Sequence, residues 1–175
     1  MNETIRILME RRSVRKFRPD QVEKEKLEAI LEAGLYAPSG KGAQSAMAVV
    51  VQDGETISIL SRMNAAVMNA KTDPFYGAPT VIVVLADSSA MTYVEDGSLM
   101  LGNLMNAAAS LGVDSCWVHR AKQVFEGAAG QQLLRTWGVP EGYVGIGHCI
   151  LGYRDGDVAA PAPRRAGRIL FPGQG

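Results

Sequence analysis

Hydrophobic positions recur along this chain in two ways, at helical spacing in some stretches and as unbroken runs in others, and their alternation lays out helices and strands. Ile5, Leu8 and Met9 predict a first helix over about residues 3 to 11 that delivers Arg11 and Arg12 at its end. Asp20, with Glu23 three residues on, has the residue types of a helix start, and Leu27, Ile30, Leu31 and Leu35 form one stripe until Pro38 stops it. Met47 to Gln52 and, more strongly, Thr80 to Ala86 are apolar β-branched runs that predict central strands. Between them Ile57, Leu60, Val67 and Met68 mark one helical face, and Asn64 falls on it. Asp114 to His119 and Tyr143 to Tyr153 predict two further strands, with helical pieces around Lys122 to Glu126 and Gln131 to Trp137. The sheet therefore has four or more strands.

The helix over Glu95 to Leu111 carries Leu99, Met100, Leu101, Leu104, Met105, Ala108 and Leu111 around much of its circumference, which predicts burial on every side. A chain of 175 residues has few layers with which to wrap a helix completely, so a second copy is the expected cover. Gly97, Gly102 and the run Ala107 to Ala109 would permit close approach, and a homodimer is predicted. After Arg154 the chain is rich in Pro, Ala and Gly before the apolar Ile169-Leu170-Phe171, a tail suited to embracing a neighbour.

Charge narrows the function. Eighteen basic and eighteen acidic residues leave no overall field to hold a long nucleic acid. Acidic and basic residues by position 6, and the absence of any run near the roughly 18 apolar residues of a membrane span, predict a protein of the cytoplasm that uses no membrane. Cys116 and Cys149 lack CxxC spacing, read as core residues in a reducing compartment, and form no metal pattern with His119 and His148.

Against that neutral background, Arg11-Arg12-Ser13-Val14-Arg15-Lys16-Phe17 concentrates four cations and a hydroxyl in seven residues. Forked guanidinium donors with a short hydroxyl match phosphate oxygens; the alternative is a solvated basic helix end. Arg164, Arg165 and Arg168 form a second cluster, and because termini often lie close together the two could share one anion. The segment Ala37-Pro38-Ser39-Gly40-Lys41-Gly42-Ala43-Gln44-Ser45 is neutral and amide-rich apart from one lysine, with glycines that let backbone approach a heterocycle. Asn64 either bonds nearby backbone or faces a heteroaromatic ring, and His119 ends a strand beside Arg120 where a loop could reach a ligand. A ligand with both a phosphate and a polar ring system, such as FMN, satisfies both requirements. Gly145-Ile146-Gly147 lacks the third glycine of a dinucleotide fingerprint and lies inside an apolar run, and no Walker loop, zinc-protease motif or nucleophile elbow is present.

Arg-Arg-Ser-x-Arg-x-Phe, then Ala-Pro-Ser-x-x-x-x-Gln, Phe75-Tyr76-Gly77-Ala78-Pro79 before a strand, Gly112-Val113-Asp114-Ser115-Cys116-Trp117 after a helix, a closing Gly152-Tyr153 and a basic tail together resemble the nitroreductase family. The resemblance runs the length of the chain. It implies one α+β domain over residues 1–175, a three-layer fold with a mainly antiparallel central sheet flanked by helices, and a C-terminal tail wrapping the partner subunit. It also implies a homodimer with two FMN molecules at the interface, NADH or NADPH as donor, and a nitroaromatic, quinone or related conjugated small-molecule acceptor in a ping-pong cycle. The alternative function is a flavin-binding sensor or carrier without turnover. Carried across by motif, Arg11, Arg12, Ser13 and Arg15 hold the phosphate, with Arg164 or Arg165 completing that site. Pro38, Ser39, Gly40 and Gln44 reach the flavin from the partner, and Asn64 contacts the ring or ribityl chain. Trp117, Val118 and His119 present backbone at the reactive edge, with no side chain serving as catalytic acid or base. The family commonly has Asn where Gly42 stands and Pro-Trp where Ser45-Ala46 stand, which leaves the substrate range open.

Overall fold

The computed structural model describes residues 1–173. Its centre is a four-stranded sheet in the order β1-β2-β4-β3, antiparallel throughout, built from Ala46–Val51 (β1), Thr80–Asp87 (β2), Asp114–Val118 (β3) and Tyr143–Gly152 (β4). Helices Lys24–Leu35 (α2) and Tyr93–Ser110 (α4) cover one face. Gly54–Val67 (α3), Ala121–Glu126 (α5) and Ala128–Thr136 (α6) cover the other, and Glu3–Glu10 (α1) lies outside both clusters. This is the three-layer α+β arrangement expected.

The uninterrupted apolar run of β2 follows from this layering. Val81, Val83 and Leu85 pack against Leu60, Phe75, Phe125 and Leu134, while Ile82, Val84 and Ala86 pack against Leu27, Ile30, Leu101 and Leu104. A strand enclosed on both faces has no polar side to alternate, and each large side chain so buried contributes about 1.5–3 kcal/mol. Gly145 and Gly147, which match half a nucleotide fingerprint, serve packing instead: a Cβ at Gly145 would run into the Ala121 backbone, and one at Gly147 into the Trp117 indole.

Three sequence expectations change. The second helix begins at Lys24, not near Asp20, because Glu23 is the N-cap residue and its carboxylate accepts the Tyr153 hydroxyl, tying it to the end of β4. The face of α3 is buried at Leu60 and Asn64 but open at Val67 and Met68. On α4, Met100, Leu101, Leu104 and Ala108 turn inward, whereas Leu99 remains 46% exposed, so one chain covers only part of this helix. Gly97 faces the chain's own β4, where a Cβ would come within 2.6 Å of Ile146 Cγ1; Gly102 faces open space. Ile5, Leu8 and Met9 of α1 also point outward, and α1 has no buried residue.

The segment after α1 is stitched to the sheet. Ser13 bridges Ser115 of β3, and Val14 N–H donates to the Ser115 carbonyl at 3.0 Å. Phe17 bridges Arg154, and Arg18 N–H donates to the Tyr153 carbonyl at 2.8 Å. Val14 and Phe17 are buried, so the residues between them have a fixed backbone. No helix among the described residues is long and apolar enough to cross a membrane.

Candidate functional site

The basic run divides by what its side chains already hold. Arg12 Nη1 donates to the Met9 and Arg11 carbonyls at 2.9 and 2.6 Å, satisfying acceptors at the end of α1. Lys16 pairs with Asp155 at 2.6 Å, and Arg15 makes no ion pair among the described residues. Arg11 Nη1 and Arg12 Nε are buried without a hydrogen-bond partner, as is Ser115 Oγ. The residues that carry them border a cleft of about 220 Å³ between α1, the end of α4 and β3, whose carboxylates are paired, Glu3 and Glu10 with Arg6 and Asp114 with Arg154. Arg12, Ser13, Arg15 and Lys16 line a neighbouring cleft of about 530 Å³ closed by residues 154–159. A buried donor without an acceptor costs about 1–3 kcal/mol, more when charged. Two enclosed guanidinium nitrogens and a hydroxyl without partners, on residues that border one recess, suit an anion, and the phosphate of FMN has the matching acceptor set.

The tail does not join that cluster within one chain. Arg164, Arg165 and Arg168 line a separate cleft with Pro163 and Ala166, and Arg164 donates to the Ala162 carbonyl at 2.6 Å. Every residue from 159 to 173 is exposed. Within the single chain the two arginine clusters do not meet: Arg164, Arg165 and Arg168 border none of the clefts lined by Arg11, Arg12 and Arg15.

The Ser39–Ser45 segment is a tight loop containing the short 3₁₀ turn Gly40–Gly42. Lys41, Gly42 and Gln44 have φ of 54°, 67° and 48°, the left-handed region that side-chain-bearing residues rarely occupy. Ser39 Oγ accepts the Gln44 N–H at 2.9 Å, and a Cβ at Gly40 would collide with Thr92. Asp96, 2% exposed, accepts the Gly40 N–H at 3.0 Å and the Ser45 hydroxyl at 2.6 Å. The Ser45 hydroxyl, and after it the Gly40 N–H, hold this carboxyl below the ordinary range of an aspartate against the opposing effect of burial. Sequence reasoning passed over Asp96. Its signal was a carboxylate four residues before Met100 and eight before Leu104, on the inward stripe of an apolar helix.

A third polar group lies beneath the end of β3. Asn64 is fully enclosed, and its Nδ2 donates to the His119 carbonyl at 2.8 Å while its Oδ1 has no partner. Of the two partners the sequence left open for Asn64, the single chain supplies the backbone one, through Nδ2. His119 itself is exposed, Val118 is buried, and Arg120 takes a φ of 78° as the chain turns into α5. Trp117 Nε1 is buried without a partner. His148 lies opposite Val118, fully buried, with its ring centroid 5.2 Å from that of Phe75. Burial pushes its pKa from 6.5 to about 4; the nearby Val118 and His119 carbonyls oppose the shift, but neither ring nitrogen completes a hydrogen bond. Cys149 is likewise fully enclosed, and burial pushes its thiol up to about 12. Both are inert core groups at neutral pH.

The structure thus gathers Arg11, Arg12, Ser13 and Arg15 at the β3 edge, and Pro38, Ser39, Gly40 and Gln44 beside β1 at the other edge. With β2 and β4 between them, the edge strands stand about 14 Å apart at ordinary strand spacing.

A protein of Archaeoglobus fulgidus provisionally named NADH dehydrogenase/NAD(P)H nitroreductase is 32% identical over 158 residues, covering 87% of this chain and 86% of that protein. The crystal structure of a nitroreductase with bound FMN from Bacteroides fragilis superposes with a TM-score of 0.90 at 28% identity, covering 98% of this chain and 99% of that one. A nitroreductase with bound FMN from Desulfitobacterium hafniense gives 0.88 at 27% identity, covering 98% of each chain. The model of the nitroreductase family matches residues 8–74 and 60–153, and with this fold and these relatives the chain belongs to the nitroreductase family.

Proposed function

We propose that this protein is a homodimeric FMN-dependent oxidoreductase that uses NADH or NADPH to reduce a nitroaromatic, quinone or related conjugated acceptor. The observation that carries the reading is the recess where Arg11 Nη1, Arg12 Nε and Ser115 Oγ are buried without acceptors, on a chain whose relatives of known structure include nitroreductases with bound FMN. Bound FMN supplies the hydride chemistry between the reduced nicotinamide and the acceptor. The chain's own residues hold and orient it. Arg11, Ser13 and Arg15 bind the phosphate from a backbone fixed on β3, and Arg12 adds its free Nε while its Nη1 stays on the helix end. Arg164 or Arg165 completes the phosphate site once the tail is ordered against the dimer.

Pro38, Ser39, Gly40 and Gln44 approach the flavin from the partner subunit, since within one chain they stand on the opposite sheet edge. Trp117, Val118 and His119 present backbone to the reactive edge, and Asn64 acts from below by holding the His119 carbonyl. The exposed Ile5, Leu8, Met9 and Leu99, together with Ile169-Leu170-Phe171 of the tail, provide the apolar surface for dimerisation.

The purified protein carries flavin absorbance, and FMN at a hundred times its Kd stabilises the apoprotein by about 2.7 kcal/mol. Anaerobic NADH or NADPH bleaches the flavin, and a nitroaromatic or quinone restores the colour with ping-pong kinetics. Absence of flavin absorbance together with no thermal shift on adding FMN overturns the reading; flavin that binds but resists both nicotinamides makes the protein a carrier or sensor.

A further inference from the structure

We propose that Asp96 is a positioning residue whose buried carboxylate holds the Gly40–Ser45 loop in the one conformation that presents Ser39, Gly40 and Gln44 to the flavin; this rests on the reading of that loop as a flavin contact given above. The loop has no regular structure beyond a single turn, and two of its side-chain-bearing residues, Lys41 and Gln44, sit at left-handed φ with their side chains exposed. Neighbouring side chains therefore do little to hold that backbone in place. Backbone bonds close its single turn (Gly42 N–H to the Ser39 carbonyl and Ala43 N–H to the Gly40 carbonyl) and tie its end to Asp87, whose N–H donates to the Ser45 carbonyl; the side-chain contacts are Ser39 Oγ with the Gln44 N–H, and Asp96 with the Gly40 N–H and the Ser45 hydroxyl, and only Asp96 links the start of the loop to its end. The Asp96 anchor is itself rigid, since its N–H donates to the Thr92 carbonyl at 2.8 Å and Thr92 leaves no room for a side chain at Gly40. Pro38, Ser39 and Gln44 border the same small recess as Asp96 and Met100. Asp96 lines neither cleft of the arginine cluster, and its carboxylate partners are both on the loop, so it acts through the loop.

The experiment measures FMN affinity by titrating apoprotein, and the midpoint potential and visible spectrum of the bound flavin, in wild type, Asp96→Leu, Asp96→Asn and Ser45→Ala. Asp96→Leu removes both acceptors and weakens FMN binding at least about tenfold, with a shifted flavin spectrum and potential. Asp96→Asn still accepts the Gly40 N–H and can donate to the Ser45 oxygen, so it stays within about threefold of wild type. Ser45→Ala falls between them and supplies the comparison if Asp96→Leu does not fold. Wild-type protein that fails to bind FMN overturns the functional reading itself. Wild type that binds FMN, beside folded Asp96→Leu or Ser45→Ala with unchanged affinity, spectrum and potential, overturns the role of Asp96 alone.

Discussion

Two clusters of arginines, near-identical in chemistry, have opposite structural circumstances. Arg11 to Arg15 follow a helix and run along β3, with Val14 and Phe17 sunk in the core on either side of Arg15. Arg164, Arg165 and Arg168 sit on a tail in which every residue is exposed. The first cluster is fixed within one chain, and its buried donors lack acceptors; the second has no packing within one chain to fix it. Preorganised donors deliver most of their interaction as affinity, whereas donors on an exposed tail lose part of it to ordering the chain. The same residue type thus has different worth at the two ends of the molecule.

The largest test of that contrast is Arg11→Ala. Losing a buried, charge-assisted donor weakens FMN binding by about 2–3 kcal/mol in a fluorescence titration, and an unchanged Kd would remove the distinction altogether. Next in size is the stability of the body that fixes the first cluster. His148 is neutral in the folded chain down to about pH 4 but takes a proton near 6.5 when unfolded, so stability is full above 6.5 and falls as the pH drops toward 4. Denaturant melts of wild type at pH 7 and pH 5 differ by about 2 kcal/mol from this group, and His148→Leu flattens that difference. Arg164→Ala and Arg165→Ala each weaken FMN binding by no more than about 1 kcal/mol, with the loss shrinking as salt is added. Smallest is the effect of removing residues 160–175 on the unfolding of the body, within about 0.5 kcal/mol when measured at concentrations where the wild-type protein is monomeric; the same truncation lowers the dimerisation constant seen by ultracentrifugation.

Much of the fold was legible in the sequence because its signals are local. The run from Val81 to Ala86 could only be a strand covered on both faces, and the stripe of Leu27 and Ile30 specified the inward side of α2. What escaped was decided at long range. The start of α2 moved because Tyr153, 130 residues away, takes the Glu23 carboxylate. Asp96 was passed over because the N–H it accepts belongs to Gly40, 56 residues earlier. The inward placement of Asn64 was readable from its helical face, but its partner, the His119 carbonyl, became visible only with the turn at Arg120. The open face of α4 at Leu99 is a different case: the apolar pattern of that helix predicted burial on every side, and one chain leaves this part of it exposed, as it leaves the apolar side of α1.

The separation of the loop at β1 from the arginines at β3 bears on genetics as well as chemistry. If each flavin takes its phosphate contacts from one subunit and its loop from the other, a chain carrying Arg11→Ala and a chain carrying Asp96→Leu are defective in complementary halves. Unfolded together and allowed to reassort, they form mixed dimers in which one pocket inherits both lesions and the other inherits neither, so roughly a quarter of wild-type turnover returns from two impaired parents.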